Sequence, residues 1–135
     1  MEYQVCSFFG ESRQSLPAGD TACKFVLVRN QKTTWLVFGP IEKYHYHAHL
    51  VEGLSDHLGI ASVWVKKPDL VNIPDKDVEI MGGGIMNFDS NENLIKFEGI
   101  SRAYGKFDSS ELQNLLKSHR LFKDSLTKVG TRASV

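Results

Sequence analysis

Short runs of apolar and β-branched residues alternate with polar turns along the chain. The run at 22–29 predicts a strand, because it is rich in β-branched and aromatic residues and is bounded by polar turns. The run at 33–38 follows closely enough to pair with it as a hairpin. By the same criteria we predict a buried strand at 60–65, further strands at 78–88 and 94–98, and edge strands at 5–9 and 121–129.

The segment 43–59 has a different period, which is typical of an amphipathic helix. Its apolar stripe comprises Leu50, Val51, Leu54 and Leu58, and its polar face comprises Glu52, Ser55 and Asp56. Gly59 is a natural C-terminal stop for this helix. A second amphipathic helix is predicted to begin near Asp108 or Ser109, either of which can cap it.

The period of the first helix decides what its histidines can do. As a strand, the segment would place His45, His47 and His49 on one face, where alternating residues can bind a metal. As a helix, it separates them and leaves His47 on the core-facing stripe, near an N-terminus that disfavours imidazolium. The leucine spacing favours the helix, so we predict no metal site. His47 is then either a core-edge histidine with a satisfied hydrogen bond or a neutral base held against the body of the protein.

Three consecutive glycines, at 82–84, interrupt the strand predicted at 78–88. Glycine is unfavourable inside a strand, so the triplet indicates a bulge, a bend or a close approach of the backbone to another group. A sharply curved strand and a phosphate-binding loop both fit this feature. A glycine-bracketed loop follows at 99–105.

These elements predict an α+β fold, an α/β sandwich with a single mixed β-sheet flanked by two helices. The 135 residues fit one domain, with 1–20 and 130–135 expected to be loose. Sixteen basic and sixteen acidic residues balance, which gives no electrostatic indication of a nucleic-acid or membrane partner. No run approaches the roughly 20 apolar residues of a membrane span. We therefore expect a cytoplasmic monomer, with its two cysteines as reduced thiols.

Three segments occur in a characteristic order: CKFVLVR at 23–29, YHAHLVEGL at 46–54, and EIMGGGIMNFDSNENLIKFEGISRAYG at 79–105. Together they resemble the signature segments of the phosphohistidine phosphatase family, also called the Janus family. The most specific parts of the resemblance are the Tyr-His-Ala motif at 46–48, the glycine triplet at 82–84 and the Ser-x-Ala-Tyr-Gly motif at 101–105. Relative to that family, the chain carries an insertion between Gly59 and Val78.

The resemblance implies a small α/β domain that removes phosphate from phosphohistidine, and from phospholysine, without a metal or other cofactor. It places the essential histidine of the family on His47 and the active-site lysine on Lys24. It places the phosphate-binding loop, which acts through backbone N–H groups, on Ser101, Arg102 and Ala103. The substrate would be a phosphohistidine-containing protein or a small phosphoramidate.

Backbone groups of the glycine triplet, at Gly83 and Gly84, are further candidates for binding phosphate. The family often has an arginine directly after the triplet, where this chain has Ile85. The loop position that is often apolar in the family is Arg102 here, and we expect Arg102 to replace the lost charge. The alternative is a non-catalytic module of the same fold that binds phosphate or a phosphoprotein, with Ile85 and the insertion as signs of a repurposed pocket.

Overall fold

A computed structural model describes residues 1–130 of the chain. In chain order the elements are β1 (Glu2–Ser7), β2 (Thr21–Arg29), β3 (Thr33–Phe38), α1 (His47–Leu58), β4 (Val63–Lys66), β5 (Leu70–Asn72), β6 (Glu79–Asp89), β7 (Leu94–Glu98), α2 (Ser109–Ser118), a 3₁₀ turn (Arg120–Phe122) and β8 (Leu126–Val129). No helix in these 130 residues is long and apolar enough to cross a membrane.

Six of the strands form one mixed sheet in the order β1-β3-β2-β6-β7-β8. The inner pairs are antiparallel, whereas the outer pairs, β1 with β3 and β7 with β8, are parallel. The hairpin of β2 and β3 and the pairing of β7 with the glycine strand β6 are as predicted. Both predicted edge strands lie at the edges, although β1 begins and ends earlier than predicted and a 3₁₀ turn precedes β8.

Each face of the sheet carries one helix. Successive residues of β2 point to opposite sides, so both faces are apolar and each is covered by a helix. Phe25 and Leu27 pack with the leucines of α2, whereas Val26 and Val28 pack beneath α1. Asp108 caps α2 by accepting a hydrogen bond from the N–H of Glu111. The predicted α+β class is therefore confirmed, with a helix on each side of the sheet.

Helix α1 confirms the predicted period and stop, with a later start. It begins at His47, after a turn closed on the carbonyl of Pro40, and ends at Leu58, where Gly59 caps it with a left-handed φ of 69°. The predicted position of Ser55 on the solvent face is wrong. Ser55 is fully buried, and burial is tolerated because its hydroxyl donates to the carbonyl of Glu52 one turn earlier.

A separate two-stranded ribbon, β4 with β5, occupies the insertion. A strand was predicted at 60–65, but the prediction that it would be buried is wrong, since Val63 and Val65 are 51% and 60% exposed. With only two strands, the ribbon has one side against the body and leaves alternate residues outside. Of the two ends expected to be loose, the first contains β1, and residues 131–135 of the second lie outside the described residues.

Candidate functional site

A cavity of about 550 Å³ opens on the α1 side of the sheet. Four residues predicted for the site line it, namely Lys24, His47, Arg102 and Ala103. They come from β2, from the start of α1 and from the loop before α2, so three separate parts of the chain converge here. Another cavity, of about 380 Å³, lies further along α1 and contains none of these residues.

His47 is the first residue of α1, and its side chain is 92% shielded from solvent, with 8% exposed. Its Nε2 lies 3.0 Å from the carbonyl oxygen of Gly84. Because a carbonyl only accepts hydrogen bonds, Nε2 carries the proton and Nδ1 keeps its lone pair. Nδ1 has no hydrogen-bond partner within residues 1–130. Every fully buried side-chain nitrogen and oxygen atom in these residues does have a partner, so Nδ1 is not fully buried and reaches solvent.

The environment of His47 keeps the ring neutral. Burial lowers its pKa below the ordinary 6.5, the hydrogen bond to Gly84 acts in the opposite direction, and the charge of Lys24 lowers it again. A neutral imidazole with a free Nδ1 is a proton acceptor at pH 7. His47 thus combines the two features that the sequence left as alternatives, a satisfied hydrogen bond and an available base.

Lys24 approaches the N-terminus of α1 from β2. Its Nζ donates to the carbonyl oxygen of His45 and lies 5.3 Å from the ring centroid of Tyr46. These contacts hold the ammonium group at the cavity wall beside His47. In the neighbouring strand β6, Ile85 pairs with Lys24 and lines the same cavity, so an apolar side chain flanks the cation.

The glycine triplet supports His47 from behind. A Cβ at Gly83 would lie 2.4 Å from the carbonyl oxygen of Phe25 and 2.8 Å from Cδ2 of His47. At Gly82, φ is +85°, and the pairing register between β2 and β6 shifts at this point, which marks a bulge. The triplet therefore allows a close approach of the histidine ring to the sheet, one of the outcomes that its sequence predicted.

Phosphate binding by N–H groups of the triplet stays a prediction. The N–H of Gly83 already donates to the carbonyl oxygen of Gly105, at 3.2 Å. The carbonyl oxygen of Gly84 is the partner of His47. Both glycines thus have identified roles in positioning neighbouring parts of the site.

The loop before α2 presents two unpaired N–H groups. Ser101 and Gly105 exchange backbone hydrogen bonds, of 3.2 and 2.8 Å, which close the loop. The buried hydroxyl of Ser101 accepts from the N–H of Tyr104 and shapes the turn from within. Within residues 1–130, the N–H groups of Arg102 and Ala103 have no partner. Consecutive free N–H groups in a turn form a concave site for an anion.

The ribbon supplies a further wall of the cavity, which the sequence did not predict. Asp69, in the turn between β4 and β5, lines the cavity. The hydroxyl of Tyr104 accepts from the N–H of Val71 at 2.9 Å and donates to its carbonyl oxygen at 2.6 Å. On the other side, Nε1 of Trp64 donates to Glu52 of α1 at 2.6 Å. No periodic signal in the proline-containing segment 66–77 indicated that Asp69 would reach the site.

The alternative metal site on the histidines required a strand, and the structure contradicts that requirement. His45 precedes α1 and is exposed, whereas His47 is buried at its first turn. His49 contacts the ring of Trp64, with the centroids 5.7 Å apart, rather than joining the other two. Cys6 and Cys23, which were expected to be reduced thiols, are free and buried, and burial raises their thiol pKa values to about 11 and 12.

The fold and the cavity define an α+β domain with a neutral histidine set beside cationic side chains and free backbone N–H groups. The Ocnus profile of the Janus/Ocnus family matches residues 18–125. Since this match covers most of the sequence, the chain belongs to the Janus/Ocnus family. No curated protein is similar enough to the chain to count as a match.

Proposed function

We propose that the protein is a metal-independent phosphatase that hydrolyses phosphohistidine, and also phospholysine, in a protein or a small phosphoramidate. The observation that supports this most directly is the free Nδ1 of neutral His47 in a cavity that also contains Lys24 and Arg102. A base and two cations around one cavity suit the attack of water on a phosphoryl group.

The reaction makes limited chemical demands on the protein. The P–N bond of a phosphoramidate is labile, so positioning of water and neutralisation of phosphoryl charge supply most of the catalysis. Nδ1 of His47 takes a proton from the attacking water as the P–O bond forms and the P–N bond breaks. Lys24, Arg102 and the N–H groups of Arg102 and Ala103 hold the phosphoryl oxygens.

The first experiment measures phosphate release from a phosphohistidine peptide by chelator-treated protein. We expect His47→Ala to lower kcat/KM by about 10²–10⁴-fold, the usual contribution of a general base. His57→Ala is the matched control, because His57 is exposed in the last turn of the same helix. A loss of less than about tenfold in His47→Ala would contradict the assignment.

Arg102 supplies the second cation in this proposal. It is exposed on the loop and faces the cavity that Lys24 lines from the sheet, where Ile85 adds no charge. We expect Arg102→Ala to lower kcat/KM by about tenfold, the size of one hydrogen bond to a charged group, and Arg102→Lys to recover part of it. Unchanged kinetics in Arg102→Ala would remove this residue from the site.

A non-catalytic phosphate-binding module is the second candidate, favoured by the apolar Ile85 and the carboxylate of Asp69 in the cavity. The two candidates differ in turnover. Folded wild-type protein that binds a phosphohistidine peptide without releasing phosphate would establish the binding module and exclude the phosphatase.

A further inference from the structure

The cavity has two chemically different parts. Its cations and free N–H groups belong to β2 and to the loop before α2, whereas its carboxylate belongs to the ribbon. Ile85 and Ile100, 40% and 47% exposed, line the same cavity and provide apolar contact surface. A site for inorganic phosphate alone needs neither the carboxylate nor the isoleucines.

The carboxylate of Asp69 is available to a ligand. Among the described residues the structure contains one ion pair, between Arg29 and Glu79, so Asp69 makes no direct ion pair with Lys24 or Arg102. A carboxylate repels a phosphate group, which makes its presence in an anion site unfavourable unless the other part of the ligand is cationic. Asp69 therefore suits the group that carries the phosphate.

The position of Asp69 is fixed by the anchoring of the ribbon. Val71, two residues further along, is fully buried and holds both hydrogen bonds with Tyr104. Tyr104 belongs to the loop that presents the free N–H groups of Arg102 and Ala103. The phosphate-binding loop and the turn that contains Asp69 are thus joined by a side chain between them.

From this arrangement we infer that Asp69 binds the leaving group and makes the site selective for phosphoramidates whose leaving group is cationic. This inference rests on the proposed phosphatase function. For a phosphorylated imidazole ring, the carboxylate accepts a hydrogen bond from the ring nitrogen that does not carry the phosphate. Ile85 and Ile100 contact the faces or edges of the ring.

The step is balanced as follows. The ring is protonated on its second nitrogen, and this N–H donates to Asp69. Water attacks phosphorus, its proton passes to Nδ1 of His47, and the electron pair of the P–N bond returns to the ring. The ring then leaves as neutral imidazole with its N–H retained, so Asp69 stays ionised throughout. A negative charge beside the ring favours the protonated form, whose P–N bond breaks more readily.

The test compares turnover of a phosphohistidine peptide with competitive inhibition by inorganic phosphate, which has no leaving group. We expect Asp69→Asn to lower kcat/KM for the peptide about tenfold, the contribution of a hydrogen bond to a charged group, while the inhibition constant of phosphate changes less than about twofold. Asp69→Glu keeps the charge and should recover part of the loss. Asp69 is exposed in a turn, so neither change disturbs the core.

Asp75→Asn is the matched control, because Asp75 lies in the same insertion but lines other cavities. It should leave both quantities unchanged. Equal kcat/KM in Asp69→Asn and wild type, or an equal loss of phosphate affinity in the variant, would overturn the role of Asp69 and leave the phosphatase function standing. Absence of phosphate release from the peptide by wild-type protein would overturn both.

Discussion

His47 is oriented by a backbone carbonyl, that of Gly84, and its protonation state follows from that contact and from its burial. The helical period predicted that His47 would be separated from the other histidines. The partner is 37 residues away in sequence and offers only a main-chain oxygen, so no residue type could have indicated it. For the same reason the sequence could not choose between a satisfied histidine and a base. In the structure the ring has a satisfied Nε2 and a free Nδ1, so the hydrogen bond does not exclude the proposed role as a base.

The charge of Lys24 makes a testable contribution to the pKa of His47. The base must be neutral, so the acidic decline of kcat/KM should have its midpoint below pH 6.5, because burial and the charge of Lys24 hold the pKa of His47 below that ordinary value. Lys24→Met removes a positive charge that lowers this pKa. The pKa then rises, and the acidic decline of kcat/KM should move to higher pH, in addition to a lower maximum.

Lys43→Met is the control for this experiment, since Lys43 is an exposed cation shortly before the same helix. It should leave the decline where it is in wild type. The measurement is the pH profile of kcat/KM for a phosphohistidine peptide. A decline at the same pH in Lys24→Met and wild type would contradict the electrostatic coupling.

Strand β6 is the element on which the site depends most closely. Its glycines let the strand bulge opposite Val26–Val28 and let the ring of His47 approach the sheet. The triplet predicted an irregular strand or a close approach, and both occur. Helix α1 was predicted well because its apolar stripe extends over several turns. Strand β7 was predicted well because a distinct polar turn precedes it. The structure of the insertion was not predicted well, because two short strands separated by a proline-containing turn leave little periodic signal.

Gly83→Ala should disturb stability and activity together. The added methyl group would contact a backbone carbonyl and the ring of His47, neither of which can move away freely. We expect the free energy of unfolding to fall by about 1–3 kcal/mol, the usual cost of overpacking, and phosphate release to fall further than stability explains. Urea unfolding and phosphohistidine turnover measure the two effects.

Gly130→Ala is the matched control for this change. An added Cβ there would meet its nearest neighbour, Cβ of Glu98, at an ordinary 3.4 Å. This variant should be as stable and as active as wild type. If Gly83→Ala behaved in the same way, the close approach of the strand to His47 would have no functional weight.

At the scale of the whole molecule, side chains of Tyr104 and Trp64 connect the ribbon to the body by hydrogen bonds, and buried Val71 packs into the core beneath α1. Composition and period predicted the sheet, its two helices and the fold class. They could not predict that the insertion would fold back over the site, because that depends on a tyrosine hydroxyl meeting the backbone of Val71, 33 residues away.

Tyr104→Phe tests this connection. It leaves the N–H and carbonyl groups of buried Val71 without their partner, so the free energy of unfolding should fall by about 1–3 kcal/mol. The amide of Val71 should exchange faster with solvent. Tyr3→Phe is the control, because the hydroxyl of Tyr3 has no hydrogen-bond partner within residues 1–130. Unchanged exchange at Val71 in Tyr104→Phe would show that other contacts hold the ribbon.

The parallel pairing at both edges of the sheet has a consequence for how the protein assembles. Glu2 pairs with Thr33 and Leu94 with Leu126, so each edge closes a loop of more than thirty residues. The hairpins of β2 with β3 and β6 with β7 close over short turns and should form early. The edges must wait for slower loop closure. During folding, the backbone edges of β3 and β7 should therefore stay unpaired longest, and at these two edges a second unfolded chain can add a strand.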